Sequence, residues 1–330
     1  MKICMLATGG TIASEAGKDG LRPQLTGEKI AAMVPGLAEI GSMDCREILQ
    51  LDSSNLLPQH WQLMAKAVAE NYEDYDGFVI THGTDTMAYS AAALHYMLPG
   101  IRKPVVFTGS QLPVENPGTD AGRNLRTAFL AAASGRPGVY LAFDGHVFYG
   151  HAVRKLYTES FHAFGSINQA EAAWMEGKKL FWPAAVAVPT AAFVPQLDLD
   201  TRICVLRLIP GLEPQLLQQM VDSGYHAIIV EGYGAGGVPT AASALDFLPA
   251  LDYAVQQGVL VVCATQCLYD GVHLDRYEMG VLAARHGAIS GGSLPIEALV
   301  PKLMLTRART RAQDAVKQII EAEDEEWGIR

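Results

Sequence analysis

Lys2-Ile3-Cys4-Met5-Leu6-Ala7-Thr8-Gly9-Gly10-Thr11-Ile12-Ala13-Ser14 and Gly77-Phe78-Val79-Ile80-Thr81-His82-Gly83-Thr84-Asp85-Thr86-Met87 each join a short apolar run to a turn of glycine and hydroxyl residues. Unbroken apolar runs of this length suit parallel strands covered by helices on both faces. In open α/β sheets ligands sit beyond the carboxyl ends of the strands, so the turn closing each run matters more than the run itself. Here two threonine-rich turns and a carboxylate reach that edge.

The alternation continues outward. Helices over about 26–33, 86–97 and 120–133 interleave with strands over about 2–7, 78–81, 105–108 and 139–143, the mark of βα crossovers. Phe107-Thr108-Gly109-Ser110 repeats the threonine-glycine punctuation. Between 144 and 166 the pattern breaks, with a hairpin signal at Phe148-Tyr149-Gly150-His151 and a polar stretch around Arg154-Lys155. From 183 to 200 the chain is rich in Pro, Ala and Val without periodicity and reads as an interdomain linker. Alternation resumes with strands over about 203–208, 227–231 and 259–264 and helices over about 214–222, 242–257, 296–306 and 309–322. The expected architecture is α/β in two domains. A larger, mostly parallel sheet domain covers 1–185, a linker 186–200 and a smaller α/β domain 201–330.

Composition agrees and narrows the partners. A chain of 330 residues exceeds one typical core. With 49% hydrophobic and 18% charged residues it is globular, and disorder is expected only in the acidic tail 321–327. The net charge of -10, with Lys and Arg scattered, argues against nucleic acid and anionic membrane surfaces. No apolar run approaches bilayer length, and no signal peptide precedes the first strand, so the expected location is cytoplasmic. Five cysteines, an odd number, do not suggest a disulfide framework. Cys4, Cys204 and Cys263 lie in apolar runs as small hydrophobes. Cys263 and Cys267 lack a second Cys/His pair, and the spacing of His146, His151 and His162 matches no standard metal site, so no metal is expected.

A threonine hydroxyl becomes a nucleophile when a base takes its proton and donors stabilise the resulting oxyanion. Thr11 follows two glycines that let backbone N–H groups approach a carbonyl oxygen, although a hydroxyl-capped tight turn explains this stretch equally well when taken alone. Thr84-Asp85-Thr86 precedes an apolar helix that needs one cap, not two hydroxyls and a carboxylate. Asp85 can bind a substrate ammonium group and Thr84 can hold water or pass a proton. His82 reads as a structural hydrogen-bonder and is assigned no catalytic role. Lys155 has apolar neighbours, but alone it reads most simply as a surface lysine. Gly232-Tyr-Gly234-Ala-Gly-Gly237 fits a dinucleotide fingerprint after strand 227–231, yet the next strand lacks the ribose-binding acid and Pro239 intrudes. A nucleotide-binding regulatory module stands as the alternative of a different class.

Thr8-Gly-Gly-Thr11-Ile-Ala, His82-Gly-Thr84-Asp85-Thr86, Phe107-Thr-Gly-Ser-Gln111, Asp120-Ala-Gly-Arg-Asn124-Leu and Lys155 ahead of His162-Ala-Phe164 together resemble the bacterial-type L-asparaginase family, the threonine amidohydrolases. Thr265-Gln-Cys267 and 293–302 look most like its cytoplasmic, type I branch. The resemblance spans essentially the whole chain. It implies hydrolysis of asparagine to aspartate and ammonia without metal or cofactor, in a homodimer or dimer of dimers. It makes Thr11 the nucleophile and Thr84, Asp85 and Lys155 the second catalytic set. Gly10, Ser53, Ser54, Thr84 and Asp85 would hold the substrate, a small amino-acid amide. Glutaminase activity and the amidase role of a tRNA amidotransferase are related alternatives; the amidotransferase chain carries an extra N-terminal domain, whereas the first run here starts at Lys2. Two departures stand out: loop 16–26 lacks the tyrosine often found there, and Ala235 replaces an asparagine of secreted members.

Overall fold

A computed structural model describes residues 1–17, 20–240 and 244–321. A first compact unit runs from Met1 to Leu197. In chain order it contains β1 (Lys2–Gly9), β2 (Ser14–Gly17), β3 (Gly20–Pro23), α1 (Gly27–Ala32), β4 (Ser42–Leu51), α2 (Pro58–Glu70), β5 (Gly77–Thr81), α3 (Met87–Met97), β6 (Pro104–Thr108), α4 (Ala121–Ala132), β7 (Gly138–Phe143), β8 (His146–Tyr149), β9 (Val153–Lys155), β10 (Phe164–Ser166), β11 (Ala173–Glu176) and β12 (Lys179–Phe181). The main sheet has the order β12-β11-β8-β7-β6-β5-β1-β4. It is parallel from β4 to β7 and antiparallel from β8 onward.

The apolar runs form the central strands because both sheet faces are covered: every residue of β5 and β6 is buried. On one face Leu125, Ala128, Phe129 and Ala132 of α4 make a stripe at helical spacing and join Ile3, Met5, Val79 and Val106 in the core. The threonines that close the strands fasten them together. Thr8 Oγ1 donates to Thr81 O at 2.7 Å and Thr108 Oγ1 to Ala142 O at 2.9 Å, each on the neighbouring strand.

Three readings change. β4, at the sheet edge, carries Asp44, Arg46 and Glu47 among apolar residues and lacks the apolar run that marks its neighbours. α2 opens on Pro58 and buries Trp61, Met64, Ala65 and Val68, a helical stripe interrupted by polar residues. The chain reversal near 148–151 falls instead at Asp144-Gly145, where φ values of 49° and 81° provide the backbone of a two-residue hairpin turn between β7 and β8. Residues 183–197 form neither helix nor strand, yet Gln196 N donates to Met97 O at 2.8 Å and Tyr72 stacks on Phe193 at 4.3 Å.

The second unit begins at Asp198. It holds β13 (Ile203–Arg207), α5 (Gln215–Asp222), β14 (Ala227–Gly232), α6 (Leu248–Gln256), β15 (Leu260–Thr265), α7 (Glu278–Arg285), β16 (Ile289–Ser290), α8 (Ile296–Arg309) and α9 (Gln313–Glu321), with a parallel sheet β13-β14-β15-β16. The helix expected from 242 starts at Leu248, where Asp246 Oδ1 accepts the Leu248 N–H at 3.0 Å and Pro249 occupies the first turn. Residues 241–243, the acidic tail from 322 and part of loop 16–26 lie outside the described residues. Among the described residues no helix is long and apolar enough to cross a membrane.

Candidate active site

Parallel pairing puts the ends of β1 and β5 side by side, with Ala7 opposite Thr81. Beyond them the backbone turns sharply: Gly9 and Gly10 have φ of 103° and 79°, which glycine alone adopts without strain. Thr11 follows in a short 3-10 turn, Thr11–Ala13, and is half-buried. The Gly10 N–H donates to Leu51 O at 3.0 Å, so that donor is committed to β4 and not to a substrate oxyanion.

Three turns converge on Gly83. A Cβ on Gly10 would stand 2.3 Å from Gly83 N, and one on Gly83 would stand 2.6 Å from Ser53 Oγ. Ser53 lies in a 3-10 turn, Ser53–Asn55, capped by Asp52 Oδ1 accepting the Ser54 N–H at 2.8 Å. Thr86 Oγ1 donates to Ser53 O at 2.8 Å and ties this turn to the start of α3. Ser53 is buried and Ser54 exposed. Gly10, Ser53 and the Thr84 turn therefore share one locus, reached without any side chain between them at Gly83.

Lys155, at the end of β9, is carried there by the β9–β10 hairpin, where it pairs with Phe164. Its side chain is 16% exposed, so the surface reading of this lysine fails. Nζ donates to Thr84 Oγ1 at 2.8 Å and to Asp85 Oδ1 at 2.7 Å. The Thr84 hydroxyl, having accepted from Lys155, donates to Gln111 Oε1 at 3.2 Å. Thr84 is buried and Asp85 exposed, so a buried hydroxyl and an open carboxylate face the same ammonium group.

Sequence reasoning left Gln111 without a role. Its Nε2 donates to Thr158 O and Ser160 O at 3.0 and 3.1 Å, while Asp120 accepts its backbone N–H. Asn124 Nδ2 then bonds both Asp120 Oδ2 and Gly109 O. The available signal was the third strand end, where a polar residue follows Thr-Gly-Ser as Thr84 follows Thr-His-Gly.

His82 is fully buried, with Nδ1 2.6 Å from Gly83 O and its ring edge-on to Phe107. Burial pushes its pKa down to about 4, so the ring is neutral near pH 7 and serves the fold. The Gly232–Gly237 fingerprint closes on itself, with Tyr233 N–H and O paired to Gly237 O and N–H at 2.9 Å. The next helix among the described residues starts at Leu248, so no helix N-terminus stands ready for a pyrophosphate.

Residues 2–186 match the family described as "Asparaginase, N-terminal", and residues 202–320 match "Glutaminase/Asparaginase C-terminal domain". The L-asparaginase of Thermococcus kodakarensis is 38% identical over 322 residues, covering 97% of each chain. Its solved structure superposes with a TM-score of 0.92, 37% identity and coverage of 100% and 99%. L-asparaginase I of Vibrio cholerae gives a TM-score of 0.85 at 32% identity over 98% and 97%. A glutamyl-tRNA(Gln) amidotransferase chain of Thermococcus kodakarensis is more distant, 34% identical over 91% of this chain and 69% of its own.

Proposed function

Because the chain belongs to the asparaginase family, as both of its halves show, we propose that it hydrolyses L-asparagine to L-aspartate and ammonia, with Thr11 as nucleophile and Thr84, Asp85 and Lys155 as the second catalytic set. The observation that carries this reading is the Lys155 to Thr84 to Gln111 hydrogen-bonded chain beside the Gly10–Gly83 contact.

In the first step Thr11 Oγ attacks the side-chain amide carbon, and its proton passes to the amide nitrogen. The C–N bond breaks, ammonia leaves and a β-aspartyl ester remains on Thr11. In the second, water attacks the ester carbon and its proton passes through the Thr84 hydroxyl, held in place by the Lys155 ammonium, to the departing Thr11 oxygen. The ester C–O bond breaks and Thr11 regains its proton. Asp85 receives the substrate α-ammonium, and Ser53 and Ser54 receive the α-carboxylate. With the Gly10 N–H occupied, the Gly-Gly turn contributes shape, allowing the substrate close to Thr11.

The chemistry uses only side-chain hydroxyl, carboxylate and ammonium groups and calls for no cofactor. We further propose a cytoplasmic homodimer or dimer of dimers. The five free cysteines suit a reducing compartment, and the family resemblance supports the assembly.

The decisive experiment is steady-state ammonia release from asparagine and glutamine, with Thr11→Ala and Thr84→Ala beside the wild type. Each variant is expected to lose kcat by roughly 10²-fold or more while keeping its unfolding midpoint. A variant with near-wild-type kcat removes that threonine from the mechanism. Saturable hydrolysis of glutamine alone replaces the asparaginase reading with the glutaminase one.

A further inference from the structure

Two of the three histidines set aside for their spacing come together. One ring nitrogen each of His146 and His162 and one carboxylate oxygen of Asp144 lie within 4.8 Å of one another. We propose that Asp144, His146 and His162 form a binding site for a borderline divalent transition metal, Zn²⁺ by preference, outside the Thr84–Lys155 centre.

The geometry needs little adjustment. His162 Nδ1 stands 3.1 Å from Asp144 Oδ2, and adjacent ligands of a tetrahedral Zn²⁺ with ordinary bond lengths are ~3.3 Å apart. A metal takes the place of the hydrogen in that contact, the imidazole keeping its proton on Nε2, so no redox partner is required. His146 Nδ1 faces Glu171 Oε2 at 2.7 Å, which leaves Nε2 as its coordinating atom. A carboxylate behind a metal-binding imidazole is the usual outer partner, fixing tautomer and ring orientation.

Asp144 is held as firmly. Its second oxygen receives Arg123, its backbone N–H donates to Asn124 Oδ1 at 2.8 Å, and its φ is 49°. Two carboxylates against one guanidinium leave a local surplus of negative charge for a cation. Side-chain exposures of 20% for Asp144, 32% for His146 and 54% for His162 give an entry path and leave the fourth position to water. Two imidazoles and one carboxylate favour Zn²⁺ over Mg²⁺ or Ca²⁺, which prefer all-oxygen sites. His151 takes no part, its buried ring lying 4.3 Å from that of His95.

Calorimetric titration of the chelator-treated full-length protein with ZnCl₂ and MgCl₂ tests the site. The expected result is one Zn²⁺ per chain and no Mg²⁺ uptake. His146→Asn and His162→Asn should each weaken binding by about tenfold or more, and Glu171→Gln by about tenfold. Cys267→Ser and His60→Asn should leave it unchanged. Co²⁺ loading of the wild-type protein gives a check independent of variants: visible d–d bands without a thiolate charge-transfer band. Zn²⁺ binding that survives both histidine variants, binding lost with Cys267→Ser, equal Mg²⁺ uptake, or a thiolate band with Co²⁺ each overturns the proposal.

Discussion

A second proton on His82 would sit on Nε2, which is buried without a hydrogen-bond partner, while Nδ1 faces Gly83 O. Above the ordinary histidine pKa of 6.5 both folded and unfolded chains carry the ring neutral. Below that value the unfolded chain takes up a proton, whereas the folded chain resists it until about pH 4. Stability is therefore full above pH 6.5 and is lost as the pH falls toward 4, by roughly 3 kcal/mol from this group. Urea unfolding at pH 7 and pH 4 should show that loss in the wild type and not in His82→Asn, and parallel losses in both proteins would assign it elsewhere. Lys155 makes the complementary case, a charged group kept for chemistry. Lys155→Met removes the donor to both Thr84 Oγ1 and Asp85 Oδ1, and kcat for asparagine should fall by roughly 10²-fold or more. Because the Asp85 carboxylate is 60% exposed, unmasking it should move stability by less than about 1 kcal/mol. A large unfolding shift with kcat retained would make Lys155 a structural residue.

At the level of elements, the ends of β1 and β5 and the turn after β4 meet at Gly83, which makes that position sensitive to a single methyl group. Gly83→Ala would place a Cβ 2.6 Å from Ser53 Oγ and 2.8 Å from Ser53 Cβ. Either the Ser53–Asn55 turn or the Gly10 turn must yield. Overpacking of this kind costs about 1–3 kcal/mol, and the displaced turns should raise KM for asparagine as well as lower kcat. An alanine variant with wild-type KM and stability would show the contact to be soft. The same convergence explains what was legible in the chain. β1, β5, β6 and β7 announced themselves because strands buried on both faces read as continuous apolar runs, and the threonine-glycine ends of the first three marked the edge where Thr11 and Thr84 lie. β4 went unseen because an edge strand alternates, and the start of α6 was displaced by Pro249 and Asp246, signals weaker than the apolar pattern around them. Lys155 was ambiguous for a different reason. Its burial depends on the β9–β10 hairpin, a pairing of three residues each, and nothing in the surrounding periodicity specifies it. Gln111 escaped because its partners Thr84, Thr158 and Ser160 are 27 to 49 residues away along the chain.

Over the whole molecule the five cysteines carry a prediction about reactivity. None is in a disulfide. Cys4 and Cys263 are buried, Cys45 and Cys204 half-buried, and only Cys267 is exposed. Burial pushes the thiols of Cys4, Cys45 and Cys204 up to about 11 and that of Cys263 up to about 12. At pH 8 their reactive thiolate forms are then on the order of one part in a thousand or less. A disulfide-exchange reagent such as Ellman's should therefore modify one thiol quickly in the folded chain and the remaining four only as the protein unfolds. Mass spectrometry of the first product should place the adduct on Cys267, and Cys267→Ser should abolish the fast phase. Because no thiol holds the fold together covalently, dithiothreitol should leave the thermal midpoint unchanged. Two or more fast thiols would mean that one of the units opens around Cys45 or Cys204 in the native state, since those positions are half-buried within separate units. The identity of the second fast site would then say which unit opens.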